Sequence, residues 1–173
     1  MTKKVLAYAL KRLMASRPLS KITVGDICEA CDMNRKSFYY HFRDKYDLVN
    51  WIFYTEFFDE FHRDTSNGPD AMLRLCEFFE KHRDFYRNAL AQRGQDSFYE
   101  YLGQVISPVI NNRLAPYFAT DPYRDFYTDL MMHIYRDAIV RWVMDRCDIP
   151  AKTFVHLMYQ AATVLAKIAQ PSP

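Results

Sequence analysis

The chain has 173 residues, of which 50% are hydrophobic and 25% charged, and its net charge is +2. That composition excludes a disordered or low-complexity chain, and no apolar stretch approaches the ~20 residues that a membrane-spanning helix needs. The charge is uneven: residues 1–50 hold ten Lys/Arg and five Asp/Glu, residues 51–173 hold thirteen and sixteen. A basic first third points to a polyanionic partner, unless the imbalance is a chance property of the surface. The start, Met1-Thr-Lys-Lys-Val-Leu, turns amphipathic at once and lacks a signal-peptide core, so a cytoplasmic location with four reduced cysteines is expected.

The elements are all helical, because glycine is scarce and no alternating run is long enough for a strand. A first helix over Thr2–Ser16 carries the stripe Val5, Leu6, Ala9, Leu10 and Leu13, and Arg17-Pro-Leu-Ser20 ends it. A second helix starts at Thr23, where Thr23 and Asp26 resemble a capping box. Val24, Ile27, Cys28 and Cys31 share its buried face. Asp32 falls where the following turn needs left-handed geometry. Asn34 caps a third helix, with Met33, Phe38 and Phe42 facing inward. Asp44 and Asp47 cap a fourth helix running to Asp64.

Thr65-Ser-Asn-Gly-Pro-Asp70 is a break. A helix over 70–90 follows, then a bend at Gly94 and a helix over 97–114 interrupted near Pro108. Asp121-Pro122 opens a long helix to Arg146. Asp148-Ile-Pro150 separates it from a last helix over 151–169.

The third helix carries the chemistry. Its outer surface presents Arg35, Lys36, Ser37, Tyr39 and Tyr40 opposite the buried Phe38 and Phe42. A guanidinium there can bond guanine O6 and N7 in bidentate fashion, and the lysine and hydroxyls can meet base edges or phosphates. Lys45 sits unfavourably at the positive end of the next helix. Taken alone it reads as a solvated lysine; directly after a recognition helix, a phosphate ligand is the better reading.

The run Ile22-Thr23-Val24, Asp26-Ile27, Phe38-Tyr39, Phe42, Lys45 and Leu48 resembles the DNA-binding head of TetR-family transcription regulators. Over about 45 residues the caps, core positions and polar positions agree together; Asp32 departs from the family's usual glycine. The resemblance implies an all-α fold of about eight or nine helices, in two parts. A three-helix helix-turn-helix head would cover residues 1–48, and a helical effector-binding and dimerisation body residues 49–173.

It implies that Thr23 touches phosphate, that Arg35, Lys36, Ser37 and Tyr40 approach base edges, and that Tyr39, His41 and Lys45 hold the DNA backbone. For Tyr39 and His41, packing within the head is the competing reading. The implied partners are a palindromic double-stranded operator, a second copy of the chain, and an unknown small-molecule effector or protein co-regulator. The implied activity is repression relieved by the effector. The stretch from Asp44 to Tyr54 is similar to a subgroup that includes dihydroxyacetone-kinase regulators of the DhaS type. Some of these activate transcription with a protein partner, which is the alternative.

Phe58, Phe61, Tyr101, Met131 and Tyr135 are the candidate effector-pocket residues, against the alternative that each is ordinary core. The last helix is apolar nearly all round, so a second subunit is expected to cover it, unless its own subunit does so. The dimer candidates are Ile134, Ala138 and Trp142 on the long helix, with Met158, Ala162, Leu165 and Ala169 on the last. No catalytic, metal or cofactor residues are assigned. Cys28-x-x-Cys31 lies on a buried face without a second ligand pair, and no nucleotide-binding or nucleophile motif occurs. An all-helical enzyme rests only on scattered His, Asp and Glu.

Overall fold

The computed structural model describes residues 2–63, 71–94, 96–118 and 120–168, and the regular secondary structure of those stretches is all helical. The helices are α1 (Thr2–Met14), α2 (Val24–Glu29), α3 (Arg35–His41), α4 (Lys45–Arg63), α5 (Ala71–Lys81), α6 (Arg83–Leu90), α7 (Phe98–Phe118), α8 (Arg124–Met144) and α9 (Ala151–Ile168). A single 3-10 turn, Leu19–Lys21, joins α1 to α2.

The head is α1 to α3 with the start of α4. Leu6, Leu10, Leu19, Ile22, Ile27, Phe38 and Leu48 are fully buried there. At roughly 1.5–3 kcal/mol per buried large side chain, this cluster provides much of the head's stability. Helix α4 is continuous from head to body. Val49 and Ile52 serve its head end, and Phe53 and Phe57 enter the body. Phe53 is the hub of the body core. Phe57, Phe78, Phe79, Tyr86, Phe98 and Tyr101 surround it with ring centroids 5.2–6.1 Å away, mostly edge-on or tilted. Such pairs add about 0.5–1.5 kcal/mol each beyond area burial.

Helices α7 and α8 form the most extensive pair, and α9 packs on α5. Arg136 secures the α7–α8 contact. Although it is 6% exposed, its guanidinium donates to Glu100 at 3.2 Å and meets His133 Nδ1 at 2.9 Å. It also lies 3.9 Å from the Tyr99 ring centre. A Cβ on Gly103 would come within 3.1 Å of Arg136 Nη1, so the small residue makes the room.

Three boundaries differ from the sequence expectation. The 70–90 helix is two helices, broken at His82, which has φ −113° and ψ 24°. Tertiary packing sets that break, because α5 lies against α9 while α6 turns to α8 and α1. Pro108 does not interrupt α7. Pro108 is exposed, and so is Gln104, whose carbonyl the proline ring crowds; a helix absorbs proline on its solvent side by turning that carbonyl to water. Helix α8 starts at Arg124, after Asp121 Oδ1 has accepted the Tyr123 N–H at 2.8 Å.

Candidate DNA interface

The helix-turn-helix is built from local side-chain caps. Thr23 and Asp26 form a complete capping box on α2. The Thr23 hydroxyl accepts the Asp26 N–H at 3.1 Å and donates to Asp26 Oδ2 at 2.8 Å, while the Thr23 N–H donates to the same oxygen at 2.7 Å. These bonds from Thr23, aided by Arg17, hold the Asp26 carboxyl below the usual value. At the far end of α2, Met33 N–H reaches Cys28 O at 2.9 Å and Asp32 N–H reaches Glu29 O at 3.3 Å. This is a Schellman pattern, with Asp32 at φ +52° in the place glycine prefers. Asn34 Oδ1 then accepts the Ser37 N–H at 2.8 Å, capping α3.

Helix α3 has two different sides. Phe38 and Phe42 are buried, whereas Tyr39 is 57% and Tyr40 84% exposed. Arg35 and Lys36 are exposed beside them. The Tyr40 ring meets His41 edge-on at 4.9 Å, and His41 and Ser37 are half-buried. The exposed face therefore gathers two cations and two phenols within six residues, on a helix narrow enough for the DNA major groove.

The remaining interface candidates, Thr23 and Lys45, are engaged by hydrogen bonds within the head. Lys45 is half-buried, and its ammonium donates to Leu19 O and Ile22 O, both at 2.7 Å, and to Ser20 O at 3.4 Å. Its donors thus go to the carbonyls of the turn before α2. Burial pulls its pKa below the usual lysine value, opposed by Asp44 and Asp26. Thr23 likewise directs both of its donors at Asp26. Asp44 and Asp47 box the start of α4: Asp44 Oδ1 accepts the Tyr46 and Asp47 N–H groups, and Asp47 Oδ2 accepts that of Arg43. Burial raises both the Cys28 and Cys31 thiols, and Cys31 donates to Ile27 O at 3.2 Å.

The body candidates are dispersed. Phe58 and Tyr101 are half-buried at the edge of the Phe53 cluster, Phe58 against Tyr54 at 4.8 Å. Burial pushes the Tyr101 phenol up, with Tyr54 adding to it. Tyr135 is buried and Met131 half-buried on α8. The Phe61 side chain falls outside the described residues. Two grooves of about 650 and 630 Å³ run along α1, against α4 and α6 respectively, and none of these effector candidates lines either.

Of the dimer candidates, Ile134 is 46% exposed, and Ala138, Met158 and Ala162 are half-buried. Trp142 belongs inside its own chain: it is 3% exposed, stacks on Phe154 at 4.6 Å, and donates from Nε1 to Ile149 O at 2.8 Å. The Leu165 side chain and Ala169 fall outside the described residues. The exposed apolar side chains of this region are Phe126 and Leu130 on α8, and Leu157 and Val164 on α9.

Sequence reasoning missed Asn88. From α6 it accepts the Leu19 N–H at 2.7 Å and donates to Met14 O at 2.9 Å and Arg17 O at 2.8 Å, tying the body to the head. A lone asparagine on an amphipathic helix carries no sequence signal for that role.

Fold and face together define a helix-turn-helix DNA-binding protein with a helical body. The sequence signature of bacterial regulatory proteins of the tetR family matches residues 8–52. That of the transcriptional regulator C-terminal region matches residues 66–163. The chain belongs to the TetR family of transcription regulators. It is similar to the HTH-type dhaKLM operon transcriptional activator DhaS of Lactococcus lactis subsp. lactis (strain IL1403), with 32% identity over 89 residues. That match covers 50% of this chain and 47% of the relative, so the chain spans about half the length of the curated relative it matches. Among solved structures, the dihydroxyacetone kinase operon activator DhaS shares the fold at a TM-score of 0.57 and 19% identity, covering 95% of this chain and 97% of that one. The fatty acid degradation regulator FadR from Bacillus halodurans does so at 0.57 and 14%, covering 91% and 92%. Among the described residues, no helix is long and apolar enough to cross a membrane.

Proposed function

We propose that two copies of the chain bind a palindromic DNA operator, each inserting α3 into the major groove, and that the body sets the spacing of the two heads. The observation that carries this reading is the exposed quartet Arg35, Lys36, Tyr39 and Tyr40 opposite the buried Phe38 and Phe42. Arg35, Lys36 and Tyr40 read base edges and Tyr39 holds phosphate. Ser37 and His41 flank the contact. Thr23 acts by capping α2, and Lys45 acts by holding the turn between α1 and α2. The dimer forms through the exposed apolar side chains of α8 and α9, which pair into a four-helix interface. The regulator represses, and an effector that changes head spacing releases it.

A second reading is supported by the ring-filled core around Phe53 and by the activator named among the relatives. In it, the body binds a protein co-regulator and transcription is activated. A reporter placed behind an operator selected by the chain from a randomised DNA library separates the two, since deleting the regulator raises expression under repression and lowers it under activation.

Gel-shift titration tests DNA reading. Arg35→Ala and Lys36→Ala are each expected to weaken specific binding by about 1–3 kcal/mol without changing helix content. Wild-type affinity in both variants would refute the assignment. Sedimentation of Ile134→Glu/Leu157→Glu tests the dimer, which is expected to dissociate; a persistent dimer would refute that face.

A further inference from the structure

Gly25 stands on α2, yet its surroundings belong to the recognition helix. A Cβ built on Gly25 would lie 2.7 Å from Arg35 Nη2, 3.5 Å from Arg35 Cζ and 3.4 Å from Thr23 Oγ1. The Arg35 guanidinium therefore rests against the bare α-carbon of Gly25, in a crevice of about 430 Å³ whose walls include Cys28, Met33 and Asn34. Real Cβ atoms do not approach nitrogen at 2.7 Å, so any other residue at 25 displaces the guanidinium, a shift that costs the fold little because Nη2 ends a flexible, exposed side chain.

Position 25 is the second residue of a six-residue helix, where local physics argues against glycine. Glycine costs a helix interior roughly 0.5–1 kcal/mol relative to alanine, which is the upper bound for this first-turn position. The φ of Gly25 is an ordinary one that an L-residue adopts without strain. The turn that does need left-handed geometry is filled by Asp32 instead. The backbone therefore gives no reason for glycine at 25, and the close approach of Arg35 does.

We propose that Gly25 is a specificity-determining position that acts through Arg35. The missing side chain makes a shelf on α2 from which the guanidinium is presented to a base edge in a set direction. Preorganisation of this kind matters for arginine because bidentate recognition needs the planar fork aligned before contact. The inference rests on the reading of Arg35 as a base-contacting residue, and the test separates the two.

The probe is a duplex enriched by the wild-type chain from a randomised DNA library, with a scrambled duplex of equal length as the non-specific reference. Gly25→Ala is expected to raise Tm by about 2 °C through helix propensity. It is also expected to lower affinity for the selected duplex about tenfold, as a misaligned bidentate contact does, and to leave the scrambled duplex unaffected. In an Arg35→Ala background the same substitution is expected to change affinity by less than about twofold, because coupled residues are not additive.

Opposite signs on stability and discrimination, together with that coupling, are what a purely structural glycine would not produce. If Arg35→Ala weakens selected-duplex binding but Gly25→Ala does not, the role of Gly25 is overturned and that of Arg35 stands. If Gly25→Ala weakens binding equally in both backgrounds, its action does not run through Arg35 and the inference fails. If Arg35→Ala itself has no effect, the reading of Arg35 fails and the inference with it.

Discussion

Asn88 is the position where one side chain of the body completes the backbone of the head, and its removal gives a calculable loss. Its amide closes three hydrogen bonds, to Leu19 N–H, Met14 O and Arg17 O, at 2.7–2.9 Å. Met14 O is an end carbonyl of α1, which has no partner within the helix. Leu19 has no exposed surface while Asn88 covers it, so alanine takes away the acceptor its N–H has in the fold. With about 1 kcal/mol net per hydrogen bond, and more where a buried donor is left unmade, Asn88→Ala should cost about 3 kcal/mol. For a chain of this length that is a fall of about 6–10 °C in Tm. Asn88→Asp is the sharper test because it keeps size and shape. It retains the acceptor for Leu19 N–H but turns a carboxylate oxygen towards two carbonyl oxygens. It should therefore cost at least as much as alanine at neutral pH, and recover in part near pH 4, where protonation restores a donor. Urea unfolding followed by circular dichroism measures both. Wild-type stability in Asn88→Asp at pH 7 would refute the bonding assigned to this amide.

Other positions give equally direct expectations. Lys45→Met should cost about 1–2 kcal/mol by taking the ammonium from the Ile22 carbonyl and from the Leu19 carbonyl, which keeps only the Ile22 N–H at 3.2 Å. It should leave the salt dependence of DNA binding unchanged, because its ammonium is directed at protein carbonyls; a slope reduced by about one phosphate contact in Lys45→Met would return that lysine to the DNA backbone. Burial, with Glu80 beside it, pushes the Cys147 thiol from 9.0 to about 11. Between those values the unfolded chain loses the proton first, so stability falls as pH rises, by up to about 1.4 kcal/mol per pH unit. Cys147→Ala should flatten that part of the unfolding profile, and an unchanged slope would contradict the shift. Arg146 has φ +63° in the Schellman turn after α8, where Cys147 N–H reaches Trp142 O at 2.9 Å. Arg146→Gly should stabilise the chain by about 0.5–1 kcal/mol in thermal unfolding, and a loss would show that the arginine makes a compensating contact.

The head was legible because its boundaries are made by neighbours in sequence. Thr23 with Asp26, Asn34 with Ser37, and Asp44 with Asp47 each cap a helix across three residues, and composition alone exposes such pairs. The left-handed turn at Asp32 was legible for the same reason. The body was less so, because its decisive contacts join distant residues. Nothing local in Lys81-His82-Arg83 marks the break between α5 and α6. The helix face of Trp142 points to an interface, yet Phe154 and the Ile149 carbonyl bury it within the chain. Helix α9 reads as apolar all round, while the fold divides it into a buried side with Ala151 and Val155 and an outer side with Leu157 and Val164.

The interface candidates divide along the same line. The exposed quartet was legible from helical periodicity, which states only which residues point away from Phe38 and Phe42. Periodicity does not say where a long side chain ends. The Lys45 and Thr23 donors turn inward to the Leu19–Ile22 turn and to Asp26, and the Arg35 guanidinium lies back over Gly25. Three polar side chains of the head are thus directed by α2 and the turn before it: Lys45 is half-buried there, while Thr23 and Arg35 stay exposed. With Arg35 as the proposed base reader, sequence specificity would depend on the surface of α2 as well as on α3, since α2 sets the point from which the guanidinium departs. A change of operator preference can accordingly arise from a substitution on α2 that leaves every residue of the recognition helix intact.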